Sequence, residues 1–233
     1  MNLKIIGTSH IAKQSVDEIK KAITEDKPDI IALELDLERA SALLTEQKNK
    51  LSITTIFQLG IKGYLFAKIG QYAQQKLGKM VGVAPGSEMK TALLYAKKQN
   101  LEVAFIDQPI RITLKNFSKE LTWKEKFHFI SEFFKGIFFP KRQIKEYGLT
   151  NFDLSKVPEE KIINQMVNQM KKHYPNIHKT LIADRNKYMI KKLIQLMRKN
   201  PQKNILAIVG AGHKEGMEKL LLKVDVINSP KPL

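Results

Sequence analysis

The sequence predicts an α/β protein: a mainly parallel central sheet built from N- and C-terminal βαβ halves, with a large helical insertion between them. Three observations carry this. The runs Ile30-Ile31-Ala32-Leu33 and Ile205-Leu206-Ala207-Ile208-Val209 are continuously apolar, as strands covered on both faces are. The opening of the chain reads strand, helix, strand within about 35 residues, the signature of a right-handed parallel crossover. Matching tetrapeptides, Gly7-Thr8-Ser9-His10 and Gly210-Ala211-Gly212-His213, each follow an apolar run near an end of the chain.

The elements follow in order. Leu3-Lys4-Ile5-Ile6 is the first strand. Ser15 with Glu18 makes a capping box, which predicts a helix from about Val16 to Thr24. Pro28-Asp29 ends that unit, and Ile30–Leu33 is the second strand, with Glu34 at its end. Glu38 to Lys50 reads as a helix. Ile53 to Lys79 is more apolar, but Gln58, Lys62, Lys68 and Gln71 interrupt it. No stretch of about 18 apolar residues results, so it reads as a buried or partner-binding helix pair and not a membrane span. Pro85-Gly86-Ser87 opens a helix with Glu88 in its first turn, where the helix dipole favours a carboxylate. Asn100 stops it, Glu102–Ile106 is the third strand, and Asp107 closes that strand.

From Ile112 to about Asn200 the pattern is helical, which makes residues 112–200 an insertion or cap on a single domain spanning 1–233. Thr122 and Glu125 form a second capping box, and Trp123, Phe127, Ile130, Phe134 and Ile137 recur at helical spacing among lysines. That stripe reads as a core-facing helix with solvated lysines, or as one lying on a membrane surface. Pro158-Glu159-Glu160 starts a helix, Tyr174-Pro175 breaks it, and another runs from about Ile177 to Lys199. The chain closes as a strand over Ile205–Val209, a helix over Lys214–Leu222 and a fifth strand, Val224-Asp225-Val226-Ile227.

Composition narrows the function. The formal net charge is +17, from 40 Lys+Arg against 23 Asp+Glu. The lysines are scattered, and no RNA-binding aromatic signature or zinc finger accompanies them, so nucleic acid is not an expected partner. There is no cysteine, which excludes disulfides and thiolate-bound zinc. Any metal must rest on His, Asp, Glu, carbonyls or water. No signal-peptide pattern opens the chain, since Met1-Asn2-Leu3-Lys4 runs straight into a strand. The expected location is the cytoplasm or the cytoplasmic face of a membrane.

Four of the five expected strands end in a polar candidate: His10, Glu34, Asp107 and His213. In a parallel sheet these ends share one edge, where open α/β sheets bind ligands. Glu88 and Arg185 stand near helix ends or faces and are candidates to join them. Two His and one or two carboxylates are able to hold a divalent ion with open positions. Taken singly, Glu34 is also a helix cap, Asp107 a turn residue before Pro109, Arg111 and Arg185 ion-pair residues, and Arg39 a surface partner of Asp36. Arg185 reads as functional because Asp184-Arg185-Asn186 interrupts a helix rich in Lys and Leu. His128, His173 and His178 lack partner spacing.

The ordered motifs resemble one family. Gln74-Gln75-Lys76-Leu77-Gly78 through Gly82-Val83-Ala84-Pro85-Gly86-Ser87-Glu88-Met89, then Ile106-Asp107, is similar to the TraB pheromone-shutdown family, especially its archaeal members. Gly7-Thr8-Ser9-His10, Glu34-Leu35-Asp36 with Arg39, Asp184-Arg185-Asn186 and Gly210-Ala211-Gly212-His213 fit the same pattern in order. The resemblance covers nearly the whole chain. It departs at Gln108-Pro109, where many members carry Arg-Asp. The family is grouped with Tiki proteins, erythromycin esterases and haem-binding ChaN-like proteins. The resemblance implies paired Gly-x-x-His motifs lining one site. It also implies a metal-dependent hydrolase, a peptidase using manganese or cobalt, with zinc as a further candidate. The implied metal ligands are His10, Glu34, Glu88 and His213. Glu34, Glu88, Arg111 and Arg185 are the implied catalytic groups, one arginine stabilising an oxyanion. A peptide is the expected substrate. The alternatives are a non-catalytic peptide-sequestering protein and a haem-binding protein. The apolar segments at 53–79 and 123–139 carry the expectation of a homodimer or a membrane contact.

Overall fold

A computed structural model describes residues 3–8, 13–45, 86–122, 124–125, 131 and 160–228. The segments expected to mediate association, 53–79 and most of 123–139, lie outside the described residues, as do Ser9 and His10.

Four strands form one sheet in the order β1-β4-β2-β3: β1 (Leu3–Thr8), β2 (Ile30–Leu33), β3 (Glu102–Phe105) and β4 (Ile205–Gly210). Every neighbouring pair is parallel. The two apolar runs take the centre. All of β2 and β4 is buried, whereas β1 and β3, at the edges, are partly exposed. The pleat sends alternate residues to opposite faces. Ile31, Leu33, Leu206 and Ile208 pack against α1 (Lys13–Asp26) and α3 (Ser87–Lys98), with Ala40 of the short α2 (Leu37–Thr45). Ile30, Ala32, Ile205, Ala207 and Val209 pack against α7 (Asp184–Lys199) and α8 (Ala211–Asn228), through Met189, Leu193 and Met217. Three layers result, helices on sheet on helices.

Helices α4 (Ile110–Glu120), α5 (Glu160–His173) and α6 (Pro175–His178) form a satellite cluster around Phe117, Leu121 and Ile177. The Tyr174-Pro175 break falls between α5 and α6, with Pro at the first helical position. A π-helical turn, Lys179–Ala183, joins α6 to α7. Such turns insert a residue into the helical ladder and shift the faces that follow. The Thr122–Glu125 capping box forms reciprocally, Glu125 N–H donating to Thr122 Oγ1 and Thr122 N–H to Glu125. Asn100 takes a left-handed conformation, φ 54°, just past Gln99, the C-cap of α3.

Two expectations are corrected. Ser15 lies inside α1 and not at its N-cap. Val224–Ile227 is the end of α8, not a fifth strand. An apolar run this short reads equally as strand or helix. Leu220 and Leu221, just before it, already pack on the α7 core, which draws the segment onto the helical layer.

Candidate functional site at the carboxyl edge

Because the strands are parallel, their carboxyl ends share one edge. The chain leaves β4 for α8 on one face and β2 for α2 and α3 on the other. The adjacent β4 and β2 therefore form a topological switch point, where a crevice opens in such sheets. Gly7-Thr8 of the first glycine motif lies beside the start of the second there. Thr8 pairs with Gly210 in register, and Thr8 Oγ1 donates to the Val209 carbonyl at 3.3 Å. A Cβ on Gly7 would stand 3.0 Å from Ala211 Cα, so a side chain there would crowd the start of α8 where it approaches β1.

Glu34 continues β2, its N–H donating to the Ile208 carbonyl. It has the parity of Ile30 and Ala32, so its side chain emerges on the α7/α8 side. There Oε2 accepts from Gly210 N–H at 2.5 Å, Oε1 accepts from Arg185 Nη2, and His213 Nε2 lies 3.4 Å from Oε1. Glu34, Asp107 and His213 are all buried. His213 belongs to the first turn of α8. The turn expected before that helix is already helical, which presents the imidazole from its amino end.

Arg185, in the first turn of α7, is the hub. Nε donates to Asp107 Oδ1 at 3.0 Å, and Nη2 to Asp107 Oδ2 at 2.8 Å and to Glu34. Nη1 donates to the Leu181 carbonyl at 3.2 Å and to His213 Nε2 at 3.1 Å. A guanidinium has five N–H donors and no acceptor, so Arg185 spends its whole capacity here. Burial opposes its charge, but attraction to Glu34 and hydrogen bonds and attraction to Asp107 outweigh burial and hold its pKa above the ordinary arginine value. Asp107 also takes Arg39 Nη1 at 2.9 Å. Asp36 caps α2 through Arg39 N–H and accepts Ile110 N–H, tying α2 to α4.

The partners of the His213 ring favour one tautomer. Arg185 only donates, so Nε2 carries the lone pair and Nδ1 the proton. Nδ1 lies 2.5 Å from Asn186 Oδ1, the acceptor that this tautomer requires. The residues brought together are thus Glu34, Asp107, Arg185 and His213, with Arg39 and Asn186. Arg111 stands apart, pairing with Glu38 at 3.1 Å on the surface. Glu88 is buried in the first turn of α3. Asn186 joins the site as well, and its sequence signal is its place directly after the functional arginine.

A divalent metal does not fit the described residues as they stand. No group of three His, Asp or Glu among them is placed to hold one. Arg185 donates to both Glu34 Oε1 and His213 Nε2. Two carboxylates, Glu34 and Asp107, already face two guanidiniums, Arg185 and Arg39, so an added divalent ion would bring uncompensated charge into a buried cluster.

Fold and site together define an α/β protein with a buried arginine-centred network at the carboxyl edge of a parallel sheet. The family model of TraB/PrgY/gumN matches residues 2–224. The chain belongs to the TraB/PrgY/gumN family. It is 31% identical over 227 residues to an uncharacterized protein of Methanocaldococcus jannaschii, covering 96% of this chain and 54% of that one. It is 25% identical over 243 residues to the human TraB domain-containing protein, covering 92% of this chain and 61% of the relative. The chain thus spans between half and two thirds of the length of these relatives.

Proposed function

We propose that this chain is a hydrolase of peptide bonds whose reacting groups are Glu34 and His213. One observation supports the reading: a buried imidazole whose Nε2 stands 3.4 Å from a buried carboxylate at the sheet's switch point. An imidazole beside a carboxylate is equipped to take a proton from a nucleophile once Arg185 Nη1 releases Nε2, the carboxylate offsetting the charge that forms. Arg185 and Asp107 act by holding Glu34 in place. Arg185 has no donor left for an oxyanion. Arg39 spends one side-chain N–H on Asp107 and is 32% exposed, so it is the guanidinium with donors left for a substrate carbonyl or carboxylate. Metal dependence on manganese or cobalt belongs to the proposal only with His10 and Glu88 as further ligands and with Arg185 displaced; no step is derived through it.

The test is turnover of a peptide library by purified protein, with chelator and with added manganese, cobalt or zinc, for wild type and His213→Ala. Wild-type cleavage that falls by about 10²-fold or more in the variant supports the reading. The closed, charge-balanced network also suits a crevice that captures peptide without turnover. Tight peptide binding with no cleavage under any metal condition selects that second reading.

A further inference from the structure

The structure assigns Asn186 and Gly216 to the positioning of His213: together they hold the imidazole in its Nδ1–H tautomer, with the Nε2 lone pair toward Arg185 and Glu34. The inference rests on the proposed function only for what the lone pair is used for.

The starting point is a glycine in the wrong place. Gly216 lies in the interior of α8, where glycine costs about 0.5–1 kcal/mol relative to alanine. A Cβ at 216 would stand 2.4 Å from Asn186 Nδ2, closer than non-bonded atoms approach. Gly216 thus leaves the space that the Asn186 amide fills. Asn186 is out of place in the same way. Asparagine is a poor helix former, yet this one is 3% exposed in the first turn of α7. An amide buried there must be satisfied, and its Oδ1 meets His213 Nδ1 at 2.5 Å. His213 and Gly216 are three residues apart and share a face of α8, so one asparagine side chain touches both.

The ring is gripped at both nitrogens by consecutive residues. Arg185 addresses Nε2 and Asn186 addresses Nδ1. In the other tautomer an N–H would point at a guanidinium, and Nδ1 would present a lone pair to a carbonyl oxygen. Without the Asn186 acceptor the choice reopens, because Glu34 Oε1, 3.4 Å from Nε2, is able to accept a proton carried there. Packing alone would explain a buried asparagine. It would not explain why the acceptor faces the one ring nitrogen that Arg185 leaves protonated.

The experiment reads the ring directly. Long-range proton–nitrogen correlation spectra are recorded on protein labelled with nitrogen-15 in histidine, His213 being assigned by its loss in His213→Gln. The variants are Asn186→Leu, which keeps the volume without an acceptor, Asn186→Asp, which keeps an acceptor, and Gly216→Ala, which drives a methyl into the amide. Wild type is expected to show the Nδ1–H form, and Asn186→Asp to keep a proton on Nδ1. Asn186→Leu and Gly216→Ala are expected to show the Nε2–H form as a major population. Circular dichroism confirms that each is folded. Folded Asn186→Leu and Gly216→Ala with unchanged Nδ1–H spectra overturn the assignment. So does wild type in the Nε2–H form, a result that needs no variant. Absence of peptide cleavage would sink the proposed function and leave this measurement standing.

Discussion

Arg185 shows how much one side chain is made to organise. Its five donors reach β2 through Glu34, the β3 end through Asp107, and α8 through His213. Arg185→Gln would leave two buried carboxylates without their principal cation. The expected loss is about 3–5 kcal/mol of folding stability, read as a drop in the denaturant midpoint. Arg185→Lys should fail almost as badly, because an ammonium cannot replace a planar fork that bonds several partners at once. Arg111→Ala is the contrast. Its pair with Glu38 is more than half exposed on both sides, so stability should change by less than about 1 kcal/mol, and peptide turnover should be that of wild type. A strong loss of turnover in Arg111→Ala would return this residue to the site.

At the scale of elements, Glu125 is the latch between the second capping box and α6. Its carboxylate accepts from Thr122 N–H and Oγ1, and from Asn176 N–H and Nδ2. Burial alone would raise its pKa, but the hydrogen bonds from Asn176 and Thr122 outweigh burial and lower it. A carboxyl whose pKa falls on folding stabilises the protein above its unfolded pKa and loses that contribution as pH drops through the folded value. Between neutrality and the ordinary carboxylate range the latch is therefore complete, and it weakens below that range. Glu125→Gln should lower the thermal midpoint at neutral pH and narrow the gap to wild type in acid. A gap that stays constant with pH would assign the effect to packing. The π turn at Lys179–Ala183 works at the same scale. It stands between the Pro175 start and the Arg185-Asn186 pair, whose side chains both reach the His213 ring.

At the scale of the molecule, no helix among the described residues is long and apolar enough to cross a membrane. Association is a separate proposal. The segment at 53–79 holds Ile56, Phe57, Leu59, Ile61, Leu65, Phe66 and Ile69, and the one at 123–139 holds a second aromatic stripe. Apolar residues in that number are the ground for proposing contact with a second copy or with a membrane surface. Sedimentation at increasing concentration and flotation with anionic liposomes are the measurements. A monomer throughout that ignores liposomes would remove the proposal.

The sequence by itself determined the fold class and the edge on which the polar groups gather. Continuous apolar runs are buried on both faces, parallel strands share their carboxyl ends, and a crossover has one hand. Ile30–Leu33 and Ile205–Val209 carried that information in their composition alone. The family was legible too, because its short motifs occur in order. Three things were decided only by the tertiary structure. Val224–Ile227 became helix, since an apolar run of that length is compatible with strand or helix and its surroundings decide. Arg185 and Arg111, both candidate catalytic groups in the sequence, separated into a saturated hub and a surface pair, because hydrogen-bond partners are contributed by elements far apart in the chain. Gly216 gained its meaning from a neighbour 30 residues away, the amide of Asn186. Distances across a packed interface are properties of the fold, and no spacing along the chain encodes them.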